Sequence, residues 1–168
     1  MTSISRKARR CACDQLHPDL LQAIQSYFES HQLGEMDFGS LVCCETVIEK
    51  NEGLFSAGLK KGASPIIYSV VVLSSDTLIW GQSGGPRGTY LVGAKLKNIH
   101  VKVHHSLFSG EAGLEVKGLV EDSRRVVEGV IVIGTGEESE AFCKEVCDAV
   151  EKINPSPTRK WSTWLGGH

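Results

Sequence analysis

The chain contains no apolar run approaching the roughly 18 to 20 residues that a bilayer-spanning helix needs, and a membrane-spanning segment is not expected. No G-x-S-x-G elbow, H-E-x-x-H pair or phosphate-binding loop occurs in it, so none of the familiar catalytic frameworks supports an enzyme reading. No C-x-x-C pair is present. The six cysteines fall as C-x-C at Cys11 and Cys13, C-C at Cys43 and Cys44, and C-x-x-x-C at Cys143 and Cys147. Adjacent cysteines on a strand point to opposite faces, so this is not the spacing of a secreted disulfide framework, and reduced thiols are expected. The basic N-terminus lacks the continuous apolar stretch and small-residue cleavage site of a signal peptide. These absences together give the expectation of a cytoplasmic protein.

Acids are missing from both ends. Residues 1–13 hold Arg6, Lys7, Arg9 and Arg10, and residues 155–168 hold Arg159 and Lys160, so the remaining 12 basic residues lie among all 20 acidic ones. An acidic body carries two short basic ends. The net charge of -2 and an apolar fraction of 41% argue against disorder, and nucleic acid is not an expected partner. At 168 residues the chain is long enough to bury a sizeable core within one domain.

The strongest pattern is VVEGVIVIGTGEESEAFCKEVCDAVEKI, residues 126–153. A β-branched run leads through a Gly-Thr-Gly turn into an amphipathic helix. Phe142, Val146, Ala149, Val150 and Ile153 recur at three- and four-residue steps and define its buried stripe. Burying the four larger side chains contributes roughly 6 to 12 kcal/mol, at about 1.5 to 3 kcal/mol each, before conformational entropy is set against it. Glu137, Glu138 and Glu140 suit the positive end of the helix dipole. They also disfavour a phosphate in the turn, and Ser139 stands where a dinucleotide fingerprint requires its third glycine. The turn reads as a tight strand-to-helix connection.

Residues 1–13 show no apolar period and read as a flexible basic arm. Pro18 opens a helix carrying Leu20, Leu21, Ile24, Tyr27 and Phe28, which ends at Leu33-Gly34; residues 14–36 are assigned to this helix, packed on the outside of a sheet. From Ser40 the period falls to two. Strands are expected from Leu41 to Lys50, Ile66 to Leu73, Thr77 to Trp80, Tyr90 to Val103, Gly113 to Val120 and Val126 to Ile133. NEGLFSAGLKKGASP, residues 51–65, reads as a loop and GQSGGPRG, residues 81–88, as a turn. The expected fold is α+β and mainly β, with about seven short antiparallel strands, an N-terminal helix and a C-terminal capping helix.

The hairpin SVVVLSSDTLIWG, the later AKLKNIHVKV, the strand GLEVKG and the closing VEGVIVIGTGEESEAFCKEVCDAV together resemble a pleckstrin-homology-like domain of the bacterial and GRAM-related branch. Trp80, Ile99 with Lys102 and Val103, and Phe142 occupy places that recur in that order. The likeness covers residues 37–154. It implies a partly open two-sheet barrel capped by the last helix, acting as a non-catalytic binding module without a cofactor. It also implies a protein partner or an anionic membrane or phosphate surface as the ligand, with location peripheral to a membrane in the second case. Lys60 and Lys61 lie in the loop that some relatives use for phosphoinositides. The following strand, IIYSVVV, lacks the basic residues the family places there, so specific phosphoinositide recognition is not expected.

Ligand contacts are expected along AKLKNIHVKVHH, residues 94–105. His100, Lys102 and His104 alternate with Ile99, Val101 and Val103, so the cationic and titratable groups share one strand face, with Lys95 and Lys97 just before them. Such a face attracts anions more strongly below about pH 6.5, where histidines take up protons. The plain reading is the solvated face of a half-buried strand. In the tail, Trp161 and Trp164 beside Arg159 and Lys160 form a candidate partner motif, or fold back onto the domain. Cys143 and Cys147, one helical turn apart, with His17, His31, His104 and His105, supply the inventory of a metal site. Their flanking of the apolar stripe favours a core role, and no metal is assigned. A small-ligand carrier or enzyme using the barrel interior is the alternative, and homodimerisation through an exposed sheet edge or the N-terminal helix is a third option.

Overall fold

The computed structural model describes residues 3–34, 38, 41–51 and 66–156. Eight antiparallel strands form two sheets. β1 (Ser3–Ala12), β2 (Val42–Asn51), β3 (Ile67–Leu73), β4 (Thr77–Gly85) and β5 (Gly88–Lys95) pair in that order, and β6 (Ile99–His105), β7 (Ala112–Leu119) and β8 (Val126–Gly134) form the second sheet. Helix α1 (Pro18–Ser30) connects β1 to β2, and α2 (Glu137–Ile153) follows β8. The chain is therefore mainly β within an α+β fold. No ladder joins the two sheets among the described residues.

The five-stranded sheet is buried on both faces. Cys43, Val70, Val72 and Ile79 pack against Leu20, Ile24, Tyr27 and Phe28 of α1. Their immediate neighbours Cys44, Val71 and Leu78 turn the other way, toward Leu114, Val116, Phe142 and Val146 of the second sheet and α2. The side-chain period of two thus sends consecutive apolar residues into two cores, which is why Val70, Val71 and Val72 are all apolar. Gly93 of β5 lies under the Tyr27 hydroxyl, and a Cβ there would occupy the same space. That hydroxyl donates to Glu121 Oε2 at 2.8 Å, tying α1 to the turn between β7 and β8.

Three sequence expectations are corrected. The basic arm is strand β1, paired with β2 from Ser3↔Asn51 to Ala12↔Val42; its charges are matched by distant acids, with Arg9 bonding Glu45, Arg6 bonding Glu111 and Arg10 bonding Glu145. The extended run from Tyr90 to Val103 is two strands in different sheets, separated by a single 3₁₀ turn over Leu96–Asn98. Leu96 is fully buried there, so the turn is anchored as the chain passes between sheets. The strand after Asp76 continues through the glycine-rich stretch to Gly85, and only Pro86 and Arg87 remain as its turn. Eight strands in two sheets, not closed into a barrel, stand where about seven strands in a partly open barrel are expected.

At the end of the chain, α2 buries Phe142, Cys143, Val146 and Val150. Ile153, expected on the stripe, is 44% exposed. The helix is closed by Asn154, whose Nδ2 donates to the Ile99 carbonyl at 2.8 Å. Gly136 precedes it at φ +102°, a left-handed conformation that favours glycine.

Candidate functional site

The expected alternation holds at the start of β6, with Ile99 buried and His100 and Lys102 exposed, and breaks at its end, where Val103 is 37% exposed and His104 half-buried. Their surroundings are of mixed charge. Lys102 faces Glu115 across β7 and His100 faces Lys117, and Lys117 lies 3.7 Å from Glu128 of β8. Opposite charges placed across a ladder partly cancel one another. Lys95 is committed elsewhere: its Nζ donates to Asp76 Oδ2 at 2.9 Å and to Thr77 Oγ1 at 3.0 Å, and lies 3.8 Å from Glu121. The Lys95 hydrogen bond holds the Asp76 carboxyl below its ordinary pKa. Lys97 is exposed and borders a small depression of about 150 Å³ with Asp76, Lys95 and Ile153. The structure thus brings Lys95 and Lys97 together, away from a continuous cationic surface. Lys60, Lys61, Trp161 and Trp164 lie outside the described residues, as does the tail assigned to residues 155–168 beyond Ser156.

A different site emerges where the two sheets diverge. The face of the five-stranded sheet that looks toward the second sheet is apolar in the rung of Cys44, Val71 and Trp80. One rung further it becomes polar, aligning Thr46, Ser69, Gln82 and Tyr90 across four strands. Thr46 Oγ1 donates to the Ile133 carbonyl at 2.9 Å and closes the gap at that point. Beyond it lies a cleft of about 270 Å³, with Ser69, Gln82, Trp80 and Tyr90 on its floor, Arg6 and Ile48 at one side, and Val130, Ile131 and Val132 of β8 as the opposite rim. Neither Ser69 nor Gln82 hydrogen-bonds through its side chain among the described residues, although both are half-buried. No buried side-chain polar atom among the described residues lacks a partner, so the Ser69 hydroxyl and the Gln82 amide are open to water or to a ligand.

Arg6 is held at the cleft margin by one nitrogen. Its Nη1 donates to both carboxylate oxygens of Glu111, at 2.8 and 2.9 Å, and Ser109 Oγ donates to Glu111 Oε2 at 2.8 Å. Burial alone would raise the Glu111 pKa, but these bonds outweigh it and hold the carboxyl below its ordinary value. The other rim, β8, is the outermost strand of its sheet. Val126 is 71% and Val130 45% exposed along it, so among the described residues an outer strand with exposed apolar side chains runs beside the cleft.

Ser69 and Gln82 escape notice when strands are judged by β-branched content. The available signal is the position of each within its alternation: Ser69 shares a face with Val71, and Gln82 with Trp80, which makes both inward polar residues. The cysteines divide differently from expectation. Cys13 and Cys43 form a disulfide beneath α1, with Cα atoms 5.8 Å apart, correcting the reading of all six as reduced. Cys11, Cys44, Cys143 and Cys147 are free, and burial pushes the Cys44 and Cys143 thiols up to about 12 and Cys147 to about 11. Such thiols are inert as nucleophiles at neutral pH. Among the described residues no group of three or more His, Cys, Asp or Glu side chains is placed to hold a metal ion, and no helix is long and apolar enough to cross a membrane.

Among the described residues Glu45 is the one deeply buried carboxylate, and it accepts three hydrogen bonds. Arg9 Nε and Nη2 donate to its Oε1 at 3.0 and 2.8 Å, and the His17 backbone N–H donates to Oε2 at 2.7 Å. These bonds fix the start of α1 against β2. No family model matches the chain, and comparisons with curated proteins and with solved structures also find no match.

Proposed function

We propose that this chain is a non-catalytic, pleckstrin-homology-like binding module that takes an extended segment of a protein partner along β8, with a side chain of that segment seated in the cleft. The reading of the fold draws on two antiparallel sheets followed by a helix packed against both, the arrangement that the resemblance implies, with β1 and α1 as additions. One observation carries the reading of the site: Ser69 and Gln82 are half-buried, unbonded and adjacent to an outer strand edge. An added strand bonds such an edge through its backbone, while a neighbouring pocket selects a side chain. Trp80 and Tyr90 supply an aromatic floor for an apolar or aromatic group, and Gln82 and Ser69 supply both donors and acceptors.

A protein segment fits better than the alternatives. Small-molecule sites occupy about 300 to 1,000 Å³, whereas this cleft measures about 270 Å³ and the space between the sheets is filled by Leu78, Leu96, Leu114 and Phe142, all fully buried. An interior carrier site is therefore not favoured. The outer face of the second sheet interleaves Glu115 and Glu128 with its cations, which weakens it as a broad anionic-surface binder.

The test is selection from a random peptide library with the full chain as bait. Peptides are expected whose affinity falls by about tenfold or more in Gln82→Ala and Tyr90→Ser, the loss expected when a buried polar partner or aromatic anchor is removed. Peptides that bind both variants as well as the parent protein, or a selection that yields none, would contradict the reading.

A further inference from the structure

Three of the cysteines lie together on the α1 side of the five-stranded sheet. Cys11 of β1 is the direct ladder partner of Cys43 of β2, and it packs against the same cluster that contains Cys13 and Cys43. Cys13 opens the short 3₁₀ turn, Cys13–Gln15, that leads from β1 toward α1, and its sulfur is bonded to that of Cys43. Cys44 faces the opposite way, into the core shared with α2. The free Cys11 thiol therefore stands beside an existing disulfide and shares a rung with one of its two sulfurs.

The geometry of the rung permits either pairing. Residues directly opposed across an antiparallel ladder have Cα atoms about 4.5 or 5.5 Å apart, and a disulfide needs about 4.4 to 6.8 Å. Cys13 and Cys43, at 5.8 Å, meet the same requirement. The loops closed by Cys11–Cys43 and by Cys13–Cys43 differ by only two residues, and loop-closure entropy varies slowly with length. Chain entropy thus does not separate the two bridges. Cys11 is half-buried whereas Cys13 and Cys43 are fully buried, so it is the one sulfur of the three that solvent reaches. Burial holds its thiol above the ordinary pKa; the Arg9 guanidinium and the Glu45 backbone N–H pull it down, and the Glu45 and Asp14 carboxylates push it up. The thiolate form is therefore scarce at neutral pH and grows as pH rises.

We propose that Cys11, Cys13 and Cys43 form a disulfide shuttle, in which the bridge to Cys43 passes between Cys13 and Cys11. Cys11 gives its proton to solvent and its thiolate attacks Cys43 Sγ. The Cys11–Cys43 bond forms as the Cys13–Cys43 bond breaks, and the electron pair leaves on Cys13 Sγ, which takes up a proton. One disulfide and one thiol are present before and after, so no outside oxidant or reductant is consumed. The transfer unfastens the turn that precedes α1. The start of the helix is then held by packing and by hydrogen bonds, from the His17 N–H to Glu45 Oε2 at 2.7 Å and from Arg9 Nη2 to the Gln15 carbonyl at 2.6 Å. The position of the bridge sets how firmly α1 is anchored to the sheet. The shuttle lies on the opposite face of the sheet from the cleft and does not depend on the reading of β8.

The experiment holds the oxidised full chain at pH 8.5 without added thiol, quenches it in acid, and labels free thiols with a maleimide in acidic denaturant. Reduction and a second label follow, and fragmentation mass spectrometry reads which label each cysteine carries. In the parent, a fraction of molecules is expected to carry the first label on Cys13 and the second on Cys11, at a level about tenfold or more above that for Cys13 in the Cys11→Ser variant, which has no attacking thiol. A folded Cys13→Ser variant, treated with oxidised glutathione, is expected to join Cys11 to Cys43. Equal first labelling of Cys13 in the parent and in Cys11→Ser would overturn the proposal, as would a folded Cys13→Ser protein whose Cys11 and Cys43 both stay free. The comparison of the parent with Cys11→Ser leaves the existing bridge intact, and it decides the question by itself if Cys13→Ser does not fold.

Discussion

At the residue scale, the polar side chains buried or half-buried by the fold divide into those bonded within it and those left open to solvent. Glu45 has three donors, and Thr46, Ser74 and Ser139 each bond a carbonyl. Among the described residues the Ser69 and Gln82 side chains have no such bond and remain open to solvent, which leaves them available to a ligand. His31 belongs to the bonded group and carries a pH dependence. Its Nε2 lies 2.7 Å from Asp122 Oδ1 and its Nδ1 2.8 Å from the Tyr27 carbonyl, with the ring stacked on Tyr27 at a centroid separation of 3.8 Å. Burial lowers the His31 pKa, but Asp122 and the carbonyl outweigh it and the net shift is upward. A raised folded-state pKa contributes stability that is fully present below the unfolded value, about 6.5, and is lost as pH rises through the folded value. The parent protein is therefore expected to lose stability as pH rises from about 6.5 through the folded-state value, and Asp122→Asn to flatten that dependence. Denaturant midpoints across the range check this; an identical slope in the two proteins would count against the pair.

At the scale of elements, local period revealed some strands and both helices because their burial is one-sided or strongly apolar. The stripe of α2 from Phe142 to Val150 is readable from spacing alone, and so is the apolar face of α1. β1 was not readable. Its sequence, SISRKARRCA, looks like a charged arm because its partners Glu45, Glu111 and Glu145 come from distant parts of the chain. The division of residues 90–103 between two sheets was equally hidden, since a single 3₁₀ turn changes the direction of the chain without interrupting its extended, apolar composition. The disulfide is an element-scale constraint, joining the end of β1 to the start of β2 across a 30-residue separation that contains α1. Loop-closure entropy for that length corresponds to about 3 to 4 kcal/mol. The C13S/C43S variant is expected to unfold at correspondingly lower denaturant than the oxidised parent, and to match the parent once the parent is reduced. Equal stability of the oxidised parent and the variant would show that the bond does not constrain the unfolded chain.

At the scale of the molecule, two sheets meet closely where Thr46 bonds Ile133 and separate where Gln82 and Tyr90 face Val130. The sequence contains the marks of this separation, in that Ser69 and Gln82 interrupt inward apolar alternations. It does not show that β8 lies across from them, because that depends on how two ladders 60 residues apart in places are set against each other. The β6 candidates His100, Lys102 and His104 were legible as a strand face, yet their cross-strand acids were not, since Glu115 and Glu128 lie on later strands. The site that results is an edge beside a cleft. The account's central claim is that a partner segment adds to β8. Hydrogen exchange on the full chain, with and without a library-selected peptide, tests it most directly. Slowed exchange at backbone amides of residues 126–132, with little change in α1, is the predicted result; protection confined to α1 or to β6, with β8 exchanging as in the free protein, would contradict it.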